Sequence, residues 1–112
     1  MKTTKKHREH LCNFPIAGFT YYEGAIAFKE LSIGSQLSLK AEPDNQYDPR
    51  AIAVYSQEYK LGYVPRNENR IIYKLLKVGF TDFEARVQQI DAQAHPEEQL
   101  HVVVHLVGEE TT

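Results

Sequence analysis

At 112 residues, with 42% hydrophobic and 25% charged residues and a formal net charge of −2, the chain is one ordinary globular domain's worth of sequence without a global basic field; any anion must be held by a local patch. The single cysteine, Cys12, excludes an internal disulfide and points to a reducing, cytoplasmic compartment. No apolar run approaches the roughly 20 residues of a membrane span, and no signal-peptide core follows the N-terminal lysines.

The basic run at Lys2, Lys5, Lys6 and Arg8 reads as a flexible tail over residues 1–12, ahead of one domain over residues 13–108. "NFPIAGFTYY" is the first strand candidate, with Phe14 and Ile16 alternating and Gly18 marking a bulge or close backbone approach. "GAIAFKELSIG" fits a helix of one or two turns. "SQLSLKAE" is a strand, with Leu37, Leu39 and Ala41 on one face and Gln36, Ser38 and Lys40 on the other.

A polar knot, "AEPDNQYDPR", follows and runs directly into "AIAVYS", whose unbroken apolar run implies a strand buried on both faces. "EYKLGYVP" is another short strand. "NENRIIYKLLKVG" is a helix, with Asn67 as N-cap, Glu68 in the first turn, Ile71, Ile72, Leu75 and Leu76 as an apolar stripe, and Gly79 as the C-terminal glycine. "FEARVQQIDA" is a less regular strand, and "QLHVVVHLVG" alternates cleanly from Leu100 to Val107. The fold class is mainly β: a small partly open OB-like or SH3-like barrel of about six strands with one or two helices.

Chemical motifs are sparse. His7, His10 and Cys12 do not make a four-ligand zinc site, and His101 and His105 stand roughly 13 Å apart along a strand, so no metal is expected. No nucleophile elbow, phosphate loop or HExxH is present. Asp44 and Asp48 beside Pro43 and Pro49 are turn residues before they are catalytic acids, so no enzyme and no cofactor is expected. Tyr21, Tyr22, Tyr47 and Tyr63 fall at strand ends or in turns, where tyrosine either caps a core or offers a ring for a nucleobase. Arg50, Lys60 and Arg66 lie near them, and Arg66 precedes a helix N-terminus, where free amides attract anions; an ordinary exposed charge is the alternative.

Three stretches, "GFTYYEG", "IGSQLSLKAEPDNQYDPRAIAVYS" and "KLGYVPRNENRIIYKLLKVG", resemble the HIRAN domain in order and spacing over about residues 14–92. The resemblance implies an OB-like barrel. It also implies single-stranded DNA as partner, held at its 3′-hydroxyl end, in the setting of DNA repair and replication-fork remodelling. By the same resemblance Tyr21 stacks on the terminal base and Tyr47 packs on the other side of that nucleotide. Asp48 accepts a hydrogen bond from the 3′-hydroxyl, and Asn45 braces the loop or touches the base. Tyr63 and Arg66 contact phosphate; Arg50 and Lys60, from their place near the tyrosines rather than from the resemblance, are further candidate phosphate contacts. Thr20 stands where DNA-binding members carry a basic residue. The alternative is a protein-interaction adaptor that uses the same groove or an exposed strand edge near His101–Val107.

Overall fold

The cleanest alternation in the sequence becomes a strand held on both sides. In the computed structural model, which describes residues 4–19 and 23–111, the strand Leu100–Thr111 (β6) lies between β1 (Thr4–Pro15) and β5 (Phe83–Ile90). Its inward set, Leu100, Val102 and Val104, is at most 1% exposed. β6 therefore presents no open edge at His101–Val107, contrary to the expectation above: both of its sides are taken up by antiparallel ladders.

β2 (Gln36–Ala41), β3 (Ile52–Ser56) and β4 (Tyr59–Tyr63) complete an antiparallel sheet in the order β1-β6-β5-β2-β3-β4. The short helix α1 (Gly24–Ala27) and a 3₁₀ turn (Phe28–Glu30) fill the expected helical position before β2, and α2 (Arg66–Lys77) follows β4. The join between β5 and β2 is narrow, two residue pairs at Gln36↔Arg86 and Leu37↔Ala85. Just past β1, Ala17 exchanges two 2.9 Å backbone hydrogen bonds with Tyr63 of β4. The sheet thus curls until its two ends touch at one bridge and stays otherwise open, as expected for a partly open barrel. Among the described residues, no helix is long and apolar enough to cross a membrane.

The basic run is not a tail from Thr4 onward. Residues 4–12 form most of β1, and its register with β6 sets Lys5 opposite Glu110 and Lys6 opposite Glu109. The opposite charges of Lys6 and Glu109 favour pairing, a long-range match that the basic run alone does not show. Arg8 also donates to Glu84 of β5 at 2.8 and 3.2 Å. A register shift between His10 and Cys12 makes Leu11 a bulge. Residues two apart share a face in a regular strand, and the bulge breaks that rule. His10 stays exposed while Cys12 turns into the core, where burial pushes its thiol up to about 11, with a further push from nearby Glu68. Phe14 and Ile16 follow Cys12 inward, each 1% exposed.

β3 is buried on both faces as its apolar run implied, with Ile52, Ala53 and Val54 fully covered. α2 lies against β3, with Ile72 in the core and Tyr73 and Leu76 packed against it. Two details of the helix differ from the sequence reading. Pro65 occupies the N-cap position, which puts Asn67 inside the first turn. Only Ile72 and Leu76 of the expected stripe enter the core, and Ile71 is 46% exposed. The far end behaves as expected. Gly79 has φ +88°, its amide donates to Leu76 and that of Phe80 donates to Leu75, which is the Schellman pattern. Nothing lies within 4 Å of a Cβ built on Gly79. Gly79→Ala should therefore cost about 1 kcal/mol, from backbone conformation alone, in a urea melt.

Candidate functional site

The knot between β2 and β3 spans residues 42–51, closed at its base where the Glu42 amide donates to the Ala51 carbonyl at 2.8 Å. Its backbone is satisfied largely by its own short polar side chains. The Asn45 carboxamide oxygen accepts the amides of Tyr47 (2.9 Å) and Asp48 (3.0 Å). The Asp48 carboxylate in turn accepts the amide of Arg50 at 2.9 Å. With the loop spent on itself, the Tyr47 ring has nowhere to pack and stands 77% exposed.

Two further groups tie the loop to the barrel. The first is a cluster around Glu42. Its carboxylate accepts from Lys60 Nζ (2.7 Å), from the Tyr63 hydroxyl (2.7 Å) and from Asn45 Nδ2 (3.1 Å), and Lys60 also donates to the Tyr63 oxygen at 2.8 Å. Burial alone would raise the Glu42 carboxyl, but the hydrogen bonds from Lys60, Tyr63 and Asn45 outweigh it and the net shift is down. Burial likewise works against the Lys60 charge and is outweighed by Glu42 and Tyr63, so its pKa is raised.

The second group faces α2. Asp48 Oδ2 accepts from Asn69 Nδ2 at 3.0 Å, and Arg66 Nε lies 3.8 Å from the same oxygen while its Nη2 donates to the Tyr47 carbonyl at 3.2 Å. Asn69 is 3% exposed, the one buried polar residue among the described residues. The Arg50 amide first, then Asn69, Arg66 and the Arg50 charge, hold the Asp48 carboxyl below its ordinary range against the opposing effect of burial.

These groups border a cleft of about 760 Å³ between the loop, the end of β4 and the start of α2. Of the residues expected to act together, Asn45, Tyr47, Asp48, Tyr63 and Arg66 all line it. Tyr21 falls outside the described residues. Arg50 is exposed at the end of the loop and does not line the cleft. Lys60 is 21% exposed and held by Glu42, so its charge is already countered. Glu42 and Asn69 were not anticipated as site residues. Asn69 had a local signal, a carboxamide three positions before Ile72 on the helix face that enters the core.

The HIRAN domain model matches residues 10–109, nearly the whole chain. The chain belongs to the HIRAN family. This HIRAN domain is similar in structure to a protein from Lactobacillus plantarum, at 27% identity and TM-score 0.78, over 92% of this chain and 98% of that one. It also shares its fold with the HIRAN domain of human HLTF, at 16% identity and TM-score 0.60, over 96% of this chain and 78% of that one. No curated protein matches the chain.

Proposed function

We propose that this HIRAN domain is a nucleic-acid-binding module that holds the 3′-hydroxyl end of single-stranded DNA in the cleft beside Tyr47. The observation that carries the reading is Asp48, an ionised carboxylate fixed at the cleft wall between an exposed tyrosine ring and an exposed arginine. Each carboxylate oxygen already accepts one hydrogen bond, which leaves acceptor capacity for a hydroxyl donor. A terminal 3′-phosphate in the same place meets a negative charge instead. Tyr47 supplies a stacking surface that tolerates any base. Arg66, with 74% of its side chain exposed, supplies the cation for the adjacent phosphate.

The bonding pattern reassigns two residues. Lys60 and the Tyr63 hydroxyl are engaged with Glu42, so they act by bracing the loop and the cleft wall rather than by touching phosphate. Asn45 is the brace of the loop. A binding module of this kind has no call for catalytic chemistry.

Fluorescence anisotropy with short oligonucleotides tests the reading. The 3′-hydroxyl form should bind about tenfold tighter than the 3′-phosphate form, the size of one charge-assisted contact, and Asp48→Asn should bring the two within about threefold. The preference should persist through neutral pH, because Asp48 is held below its ordinary 3.8 and protonates only in stronger acid. Equal affinity for the two ends in the unaltered protein would sink the proposal.

A further inference from the structure

The outer face of α2 carries a charge pattern of which only Arg66 touches the loop. Arg66, Arg70, Lys74 and Lys77 recur at intervals of four, four and three residues, so at about 100° per residue they fall within an arc of roughly 80°. All four are exposed. Glu68, the acid of this helix, projects from nearly the opposite side. Among the described residues no carboxylate pairs with Arg70, Lys74 or Lys77.

Helix stability does not account for this row. Like charges four residues apart repel, and although Lys74 and Lys77 suit the C-terminal end of the helix dipole, Arg66 opposes it at the other. Four aligned cations in a chain of net charge −2 are a local concentration of positive potential. The row also has a direction. Arg66 lines the cleft with Tyr47 and Asp48, and the other three lead away from it over eleven residues, about 16 Å of helix.

We infer that this face of α2 carries the phosphodiester backbone of DNA inward of the terminal nucleotide, an inference that rests on the cleft reading above. The contacts are charge to phosphate and carry no sequence preference. Ile71 and Val78 are exposed beside the row, a combination that also suits an anionic membrane surface. Continuity with the cleft through Arg66 favours nucleic acid.

The test compares the full chain with its R70Q/K74Q/K77Q variant, none of whose substituted residues lines the cleft. Each protein is titrated with a trinucleotide and a decanucleotide, both ending in a 3′-hydroxyl, across a salt series, and with phosphatidylserine vesicles. The variant should bind the trinucleotide as the parent does and lose about tenfold or more on the decanucleotide, with the salt slope shallower by roughly 2 for three lost contacts. Unchanged decanucleotide affinity and slope would overturn the inference, as would a variant whose only loss is in vesicle binding. A parent that binds the trinucleotide equally with either end chemistry would count against the cleft reading, while a slope still reduced by the triple substitution would uphold the helix face.

Discussion

Gly62→Ala is expected to destabilise the domain by about 3 kcal/mol or more, combining strained backbone with overpacking, and to lower its thermal midpoint by more than roughly 10 °C. Gly62 sits in β4 at φ +152°, a conformation that L side chains rarely adopt. A Cβ there would lie 2.3 Å from the Ala17 carbonyl oxygen and 2.6 Å from Ile16 Cγ2. Neither neighbour can yield cheaply. The Ala17 oxygen accepts the Tyr63 amide in the bridge that joins the two ends of the sheet, and Ile16 is 1% exposed in the core. The added methyl therefore acts on the barrel's seam and on the strand that carries Tyr63. Gly79→Ala is the control, because it shares the positive φ and lacks the clash. Calorimetry on the two variants checks the argument, and equal losses would show that backbone conformation, not close approach, governs Gly62.

Glu42→Gln has the second largest expected effect, a loss of about 2 kcal/mol together with weaker DNA binding. Glutamine keeps the shape but removes the counterion of Lys60, whose side chain is only 21% exposed. The Asn45 and Tyr63 bonds also lose their charged acceptor, and Asn45 is what holds the amides of Tyr47 and Asp48. Pairing the change with Lys60→Gln should recover part of the loss, since the unpaired ammonium goes with it.

The pH dependence has a definite sign. Glu42 is depressed in the folded state, so its contribution is fully present above its ordinary 4.5 and fades as pH falls through the lower folded value. Lys60 is raised, so its share is complete below its ordinary 10.5 and lost only at higher pH. The stability gap between Glu42→Gln and the parent should be flat from about pH 5 to 10 and should narrow in acid. Glu84, held down to about 2 by Arg8 first and then Arg86, adds an acid limb of its own that both proteins share and that cancels in the difference. A gap that widens in acid would contradict the assignment.

Much of this molecule is local and readable along the chain. Alternation marked β2 and β6, an unbroken apolar run marked the doubly buried β3, and Gly79 marked the end of α2, because each depends on neighbours within a few residues. The run from Glu42 to Val54 also carried the family resemblance and most of the cleft residues. Other features needed partners distant in sequence. The basic N-terminal run becomes a strand because β6 returns alongside it, and β6 loses its open edge to that same pairing. The bulge at Leu11, which separates His10 from Cys12, is set by register with β6.

Charge was the least legible property from composition. Lys60 and Arg66 look alike in the sequence, yet one is covered and held by Glu42 from β2's end, while the other opens onto the cleft. The acidic loop and the basic helix face likewise acquire meaning only once β4 ends beside the knot and sends α2 away from it. Residue type and spacing therefore determined most of the strands after β1, the turn and the family. Which charges are spent inside the protein and which remain for a ligand was decided by tertiary packing, because electrostatic pairing depends on distance in space and on burial, and neither is written in the local order of residues.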